Sequence, residues 1–186
     1  AGSTRDFDDK PALTINVDRF TPDQRFHAME KFHLNNSVQD ESYLNEWLAS
    51  EHFRAAGLAA TRVTHARLAI NGRDVGLYVL KESFDETFLA RNFPRADGSL
   101  YDGGFCQDID VDLEKDEGEP KDQRPDLKAL LEACREPIPQ KRWPRIAETL
   151  DVDAFLALVC RTVPTRSSRI RERRSLSRRA PLSPAS

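Results

Sequence analysis

The chain has 186 residues, close to the length of one domain, with 39% hydrophobic residues, 32% charged residues and a formal net charge of −3. This composition predicts a soluble globular protein with a modest core. No stretch approaches the roughly 20 apolar residues that a membrane-spanning helix needs. The three cysteines also lack metal-type spacing, so neither a membrane span nor a disulfide or zinc scaffold is expected.

A polar turn precedes the first predicted helix and contains Asn35, Asn36 and Asp40. Asn and Asp side chains commonly close turns on their own backbone, so a structural role for these residues stands beside a ligand-binding role. Asp40 is also placed to cap the helix that follows, by accepting a hydrogen bond from an otherwise unpaired backbone N–H.

The first predicted helix has an apolar face, which is expected to pack into the interior of the domain. The residues on that face are Leu44, Trp47, Leu48 and Ala55. The other face carries Glu46, Ser50, Glu51 and Arg54. Gly57 is expected to end the helix, because a helix C-terminus favours a residue that tolerates positive φ.

A β-hairpin is predicted after this helix. Aliphatic and β-branched residues alternate with polar ones over residues 62–70, and Asn71-Gly72 supplies a tight turn. The alternation then resumes through Val75, Leu77 and Val79. Tyr78, in the second strand, is expected to pack in the interior, as aromatic residues of apolar surfaces usually do.

Two short elements and a linker are predicted next. Ser83 and Glu86 have the spacing of a capping box at the start of a short helix. Residues 98–101 are typical of a turn that leads into a strand. Residues 106–124 are interpreted as a solvated acidic linker rather than a calcium loop, because Leu113 stands where an EF-hand needs glycine.

The last predicted elements are helical. A helix is expected to start at Pro125, and three prolines at positions 137, 139 and 144 are expected to break the chain before a short helix at residues 146–150. Asp151 or Asp153 is the expected cap of a further helix. Its inward residues are predicted to be Phe155, Leu156 and Val159.

Residues 161–186 differ sharply in composition from the rest of the chain. They contain eight arginines and one glutamate, a balance of +7, which leaves −10 for residues 1–160 of a chain whose total is −3. This Arg/Ser/Pro tract is predicted to be disordered. Binding to nucleic acid is not expected, because no aromatic residue that could stack on bases stands among the arginines.

Several of these segments, taken in order, resemble the spore coat protein H (CotH) kinase family. The matching segments are KPALTINV from Lys10, LNNSVQD over residues 34–40, FRAAG ending at Gly57, INGRDVGLY over residues 70–78, and Glu82. They span residues 8–105. The resemblance implies an α+β fold.

The resemblance also implies a division of the chain. Residues 1–105 correspond to an atypical protein-kinase-like N-lobe, a β-sheet with a packed helix. The acidic linker 106–124 follows, then the first helices of an incomplete helical C-lobe over residues 125–160, and then the disordered tail 161–186. In the family, an Asp-bearing segment and an Asn-rich stretch should follow residue 160, and neither is present. A shift of reading frame near that position is therefore hypothesised.

For a family member, ATP and Mg²⁺ are the implied cofactors. Lys10 matches the family's basic position on the opening strand and is the expected phosphate contact, although a solvated lysine is an equal alternative. Glu82 occupies the family's Glu position and is expected to pair with such a lysine. Lys81 and Glu82 point to opposite faces of one strand, and Glu82 is taken to face the cleft. Arg25 is interpreted as holding the Asn turn or approaching phosphate.

The function implied by the resemblance is ATP-dependent phosphoryl transfer to a protein. The cofactor-binding residues are predicted to be Lys10, Arg25, Asn35, Asn36, Asp40 and Glu82. Without the family's catalytic and metal-binding segments, this chain is expected to be inactive. The alternative is a noncatalytic scaffold that binds a coat or cell-surface protein. Self-association through apolar surface left by the incomplete C-lobe is also expected.

Overall fold

A computed structural model describes residues 4–104, 107–118, 120 and 123–161, and its centre is an antiparallel sheet of four strands in the order β1-β2-β4-β3. The four strands are β1 (Leu13–Asn16), β2 (Lys31–Asn35), β3 (Val63–Ile70) and β4 (Arg73–Glu82). The sheet and the helices around it confirm the α+β class. No helix in these ranges is long and apolar enough to cross a membrane.

One face of the sheet carries the main hydrophobic core. Period-two alternation in β2 buries Phe32 and Leu34, and these residues cluster with Met29, Tyr78 and Leu80. The Tyr78 side chain is fully buried, and its hydroxyl donates to the Pro11 carbonyl at 2.9 Å. The prediction that Tyr78 lies in the interior is therefore confirmed.

The predicted hairpin is confirmed as β3 and β4. Asn71 and Gly72 connect the two strands with φ values of 50° and 79°. Positive φ at both turn positions is the geometry that suits the right-handed twist of the flanking strands, and Asn-Gly adopts it readily. The pairing extends from Ile70–Arg73 to Val63–Lys81, with one register irregularity at Leu68/Ala69.

The first helix, α1, spans Asn45–Ala55, and its ends follow the predicted signals. Asp40 Oδ2 accepts a hydrogen bond at 2.9 Å from the backbone N–H of Asn45, the first residue of α1. At the other end Gly57 has φ of +76°. Leu44 is the N-cap residue and its side chain makes no capping bond. The predicted hydrogen bond from Asp40 to a free N–H at the start of the helix and the helix stop at Gly57 are confirmed.

The predicted orientation of α1 is wrong. Trp47 is 38% exposed and Leu48 is 52% exposed, whereas Ser50 is 6% exposed. The sheet face beneath α1 carries Asn35, His33 and Lys81 beside the buried Val79, and polar residues of the helix bond to this face and to the loop before β3. Ser50 Oγ donates to the Thr61 carbonyl, and Asn35 Nδ2 donates to Glu46 Oε1. These bonds keep the polar side inward and leave the apolar stripe outside.

The second helix, α2 (Glu86–Asn92), starts with a different cap from the one predicted. Asp85 is the N-cap, and its Oδ1 accepts from the backbone N–H of Phe88 at 2.9 Å. Ser83 and Glu86 therefore do not form the expected capping box. The cap lies closer to the helix because Asp85 has the extended backbone that an N-cap residue requires.

Strands β5 (Leu100–Asp102) and β6 (Glu114–Glu117) form a second, two-stranded sheet. The turn into a strand near residue 100 is confirmed. β6 lies within the segment predicted to be a solvated acidic linker, and that prediction is wrong for residues 113–117. Leu113 and Lys115 are buried, at 6% and 7% exposed, because their alternation with acidic residues places them on the inner face.

The described C-terminal part is helical. α3 spans Pro125–Cys134, as predicted, and α4 spans Pro139–Thr149. Pro139 occupies the first turn of α4, where a missing N–H costs nothing, and Pro144 lies inside the helix instead of ending it.

A last helix, α5, is described over residues 152–161. Asp151 caps it, since Asp151 Oδ1 accepts from the backbone N–H of Ala154 at 2.9 Å. The expected burial of its apolar residues is wrong, because Phe155, Leu156 and Val159 are 40–47% exposed. The predicted disorder and frame shift concern residues from 160 or 161 onward, and residues 162–186 lie outside the described ranges.

Candidate functional site

A cavity of about 330 Å³ lies where α1 crosses the polar face of the sheet. We call it the sheet–helix cavity. Its lining residues are Ala12, Leu13, Thr14, His33, Leu34, Asn35, Glu46 and Lys81. Strands β1, β2 and β4 supply the floor, and α1 supplies Glu46.

Lys81 is the cation of this cavity. It follows Leu80 in β4 and therefore points away from the core face, toward α1. Its ammonium lies 5.6 Å from the centre of the Phe84 ring, and no ion pair of Lys81 occurs among the described residues. Lys81 and Glu46 also line a second cavity of about 280 Å³ beneath α1. The lysine is thus placed between two connected cavities.

Asn35 links the sheet to α1 and to the polar turn. Its amide nitrogen donates to Glu46 Oε1, and its amide oxygen accepts from the backbone N–H of Ser37 at 3.0 Å. Alternation in β2 places Asn35 on the same face as His33. Asn35 therefore closes the turn and at the same time holds Glu46 at the cavity.

His33 lies between β1 and β4 on the cavity floor. It is the register partner of Thr14 on one side and of Lys81 on the other. Its Nδ1 and Thr14 Oγ1 are 3.0 Å apart and hydrogen-bonded. Burial, followed by the positive charges of Lys81 and Lys31, lowers the pKa of His33, and nearby Glu46 opposes that shift. The ring is therefore held neutral near pH 7.

A third cavity, of about 570 Å³, continues from His33 toward the β5–β6 sheet. It is lined by Lys31, His33, Ser83, Phe84, Leu100, Tyr101, Asp102, Glu114 and Asp116. His33 connects it to the sheet–helix cavity, and Phe84 connects it to the cavity beneath α1. The three cavities thus adjoin one another on the side of the sheet that faces α1.

Lys10 lies shortly before β1, among aromatic rings, and does not line the cavities. Its Nζ donates to the Tyr43 hydroxyl at 2.6 Å, and the ammonium lies 4.7 Å from the Tyr43 ring centre and 5.1 Å from that of Tyr78. The Lys10 carbonyl accepts from the Asn36 amide at 2.8 Å. This hydrogen bond brings Lys10 and Asn36 together at the end of the sheet where β1 begins and β2 ends.

The other residues of the polar turn have structural contacts as well. Asn36 is 1% exposed, and its amide oxygen accepts from the backbone N–H of Val38 at 3.4 Å. Asp40 accepts from both the backbone N–H and the hydroxyl of Ser42. The hydroxyl bond is the largest cause of the lowered pKa of Asp40. These bonds fit the turn-closing role that the residue types suggested.

Glu82 lies on the opposite face of β4 from Lys81. Its carboxylate is 1% exposed and forms ion pairs with Arg62, at 2.9 Å, and with Arg91. It also accepts from the backbone N–H of Arg62 at 2.9 Å. The expected pairing of Lys10 with Glu82 is therefore wrong, and Lys81, not Glu82, is the one of the two that lines the cavity.

Arg25 lies apart from the other predicted site residues. Its Nη2 donates to Glu30 Oε1 at 2.6 Å, next to the first residue of β2. The Asn turn begins at the other end of that strand, so Arg25 does not hold the turn. The structure thus brings Lys10, Asn35 and Asn36 together, and it places Arg25 and Glu82 elsewhere.

His33, Lys81 and Glu46 line the cavity but were not among the predicted site residues. The sequence carries a signal for His33 and, in part, for Lys81. Alternation in residues 31–35 puts His33 on the polar face with Asn35. The same rule puts Lys81 and Glu82 on opposite faces but does not say which face has the cavity. Glu46 had no signal, because its helix packs with the polar side inward.

A bound nucleotide would bring Mg²⁺ with it, and the described residues offer this ion few ligands. They contain no group of three or more His, Cys, Asp or Glu side chains placed to hold a metal ion. Magnesium bound with nucleotide takes most of its ligands from phosphate oxygens and water. Glu46 is the carboxylate among the residues lining the sheet–helix cavity.

The sequence has relatives among known proteins. A family model described as CotH kinase protein matches residues 2–159. Over 97 residues, which are 52% of this chain, the sequence is 29% identical to inner spore coat protein H of Bacillus subtilis (strain 168). The matched part is 25% of that protein, so the chain spans about a quarter of the length of this curated relative.

Proposed function

The chain belongs to the CotH kinase protein family, and from this premise we propose that residues 10–82 form the nucleotide-binding lobe of an atypical kinase. The substrate nucleotide is Mg-ATP and the phosphate acceptor is a protein. Phosphoryl transfer depends on positioning and on cations that stabilise the charge of the phosphates. The lobe's contribution is to bind and orient the triphosphate.

One observation carries this proposal. Lys81, on a central strand, and Glu46, on the helix above it, line the same cavity. Protein kinases place a strand lysine on the phosphates and hold it with an ion pair to a helix glutamate; here Lys81 and Glu46 line one cavity without an ion pair between them. Among the described residues Lys81 has no ion pair, so its charge is available to an anion.

The second part of the proposal is that this chain binds nucleotide without transferring phosphate. Transfer also needs an acidic residue that orients the acceptor hydroxyl, and groups that hold the metal. Glu46, the carboxylate of the sheet–helix cavity, already accepts a hydrogen bond from Asn35. Lys10 stays a second proposed phosphate contact, although its ammonium is directed to Tyr43.

Calorimetric titration of the full chain with Mg-ATP tests the proposal. Lys81→Gln is expected to weaken binding by roughly tenfold or more, because charge-assisted hydrogen bonds to phosphate are lost. Lys128→Gln is the matched control, since Lys128 is an exposed lysine of α3. Lys10→Gln, measured in the same series, tests the second contact.

Either of two results would contradict nucleotide binding at this cavity. The first is no heat of binding with the unmodified chain. The second is a Lys81→Gln chain that melts like the unmodified one and binds Mg-ATP equally well. Incubation with radiolabelled ATP and a protein acceptor tests the second part, and transfer by this chain alone would overturn it.

A noncatalytic scaffold is the second candidate function. It is favoured by the exposed apolar stripe of α1, Leu44, Trp47 and Leu48, and by the name of the relative, a spore coat protein. Sedimentation velocity tests it through self-association. Association that Trp47→Gln abolishes and Mg-ATP leaves unchanged would support a scaffold. A monomer at every concentration would oppose self-assembly.

A further inference from the structure

We propose that His33 and Lys81 form an anion-binding pair, in which His33 gains a proton when a phosphate group enters the sheet–helix cavity. The inference deepens the proposed function and rests on it for the natural ligand, a nucleoside triphosphate. The pair itself is derived from the register of the sheet and from the contacts of the imidazole.

The register brings the two side chains together. His33 in β2 and Lys81 in β4 are direct partners across an antiparallel pair, an arrangement that places Cβ atoms about 4.5–5.5 Å apart on one face. Lys31 lies two residues along β2, on the same face. Lys31, His33 and Lys81 therefore form a cluster of three basic side chains on one face of β2 and β4.

The contacts of the imidazole leave one ring nitrogen for a ligand. Nδ1 is hydrogen-bonded to Thr14 Oγ1, which fixes the ring against β1. For Nε2, no hydrogen-bond partner occurs in the described part of the chain. Both nitrogens of a protonated imidazole are donors. A protonated His33 can thus keep Thr14 on one side and donate to a phosphate oxygen on the other.

The charges around His33 set its protonation in the empty protein and in the protein with phosphate bound. Lys31 and Lys81 disfavour a further positive charge, and burial does the same, whereas Glu46 of α1 favours it. Asp102, Glu114 and Asp116 of the β5–β6 sheet line the adjoining cavity on the far side of His33. Without an anion the lowered pKa keeps the ring neutral.

A bound phosphate reverses this balance, because two or more negative charges next to the ring stabilise the imidazolium. The pKa of His33 is therefore higher in the complex than in the empty protein. Between these two values, binding takes up a proton. Affinity for the anion consequently rises as the pH falls through the pKa of the complex.

The test follows the Cε1 proton of His33 by NMR in the full-length chain over a pH titration. The probes are sulfate, whose charge does not change near neutral pH, inorganic tripolyphosphate, and Mg-ATP. Saturating anion is expected to raise the pKa of His33 by about 1 or more. His65 is the internal control, since its Nε2 is bonded to the Tyr43 carbonyl and it does not line the cavity. Spectra of His33→Gln and His65→Gln assign the two resonances.

Affinity measurements add an independent readout. His33→Gln is expected to remove most of the pH dependence of sulfate binding near neutral pH, with a loss of roughly tenfold at the acid end. His65→Gln is expected to leave both the affinity and its pH dependence unchanged. If His33→Gln retained the full pH dependence, the proposed pair would be wrong.

The outcomes separate this inference from the proposed function. If sulfate and tripolyphosphate raise the pKa of His33 but Mg-ATP does not bind, the pair stands and the kinase-type function fails. If Mg-ATP binds through Lys81 but the pKa of His33 does not change, the function stands and the pair is overturned. If none of the three anions binds, both are overturned.

Discussion

His33 and Lys81 lie directly opposite each other on β2 and β4, on the sheet face that α1 partly covers. The next residue, Glu82, points to the other face and is buried there between two arginines. A step of one residue along β4 thus separates a cationic cavity from an internal ion-pair network. The stability of the protein is expected to depend on the second of these features.

Replacing Glu82 by Gln is expected to lower the free energy of unfolding by roughly 2–3 kcal/mol. Breaking a fully buried ion pair costs about 3–5 kcal/mol, and the value is smaller here because Arg62 and Arg91 are themselves partly exposed. Urea unfolding followed by circular dichroism measures the change. Asp74→Asn is the matched control, because Asp74 pairs with Arg67 at the surface, and little change is expected there.

Replacing Asp85 by Asn is expected to stabilise the protein by about 1 kcal/mol at pH 7, because it removes a buried negative charge that lies near other carboxylates. Asp85 Oδ2 is buried and has no hydrogen-bond partner. Burial, with nearby Glu82 and Glu30, raises the pKa of Asp85. The Asn side chain keeps an oxygen for the Phe88 N–H and removes the buried charge.

The gain in stability from Asp85→Asn should increase with pH. A carboxyl whose pKa is raised on folding costs no stability below its unfolded pKa of 3.8; the cost grows as the pH rises from there toward the folded pKa and is fully present above it. The gain from Asp85→Asn is therefore expected at pH 7 and should vanish near pH 3.5. An equal gain at both pH values would contradict this explanation. Asp85→Ala, which also removes the cap, should be about 1 kcal/mol less stable than Asp85→Asn.

The two aromatic residues predicted to be internal should respond differently to truncation. Tyr78→Ala is expected to cost about 3–5 kcal/mol, because it empties the centre of the core and removes the bond to the Pro11 carbonyl. Trp47→Ala is expected to cost less than about 1 kcal/mol, since Trp47 is on the outer side of α1. Thermal and urea unfolding of both variants checks this. A large loss for Trp47→Ala would mean that the outer side of α1 is covered.

The hairpin turn gives a test of backbone conformation. Gly72→Ala is expected to destabilise by about 1–2 kcal/mol, because Gly72 has φ of +79° and a Cβ there is strained even though it meets no atom within 4 Å. Gly98→Ala is the control, since Gly98 also has open space around it but no left-handed backbone. Equal effects of the two substitutions on the urea midpoint would argue against strain in the turn.

Much of the local structure could be predicted from short stretches of sequence. The Asn71-Gly72 hairpin, the helix stop at Gly57 and the contact of Asp40 with the start of α1 are confirmed. Each depends on backbone preferences and on residues that are close in the chain. The capping box at Ser83 was wrong because Asp85, two residues later, has the extended backbone and the side chain that satisfy the same helix end.

The candidate site could be predicted only in part. Asn35 and Asn36 were identified from the polar turn, and the structure confirms that they lie beside α1 and the opening segment. Glu46 was missed because the apolar residues of its helix predicted the opposite orientation. Amphipathic pattern decides orientation when the surface beneath is apolar. The sheet face beneath α1 instead carries Asn35, His33 and Lys81 beside Val79, and the hydrogen bonds of Glu46 and Ser50 hold the helix with its more polar side inward.

The sequence by itself determined the family, the α+β class and the places where the chain turns, because these follow from ordered motifs and from the conformational preferences of neighbouring residues. Only the tertiary structure decided that Lys81 lines the cavity and that Glu82 is buried. That choice depends on Arg62 and Arg91, which are 20 and 9 residues away along the chain. Alternation along a strand fixes that two neighbours face opposite ways, but burial of each face depends on what the rest of the fold places against it.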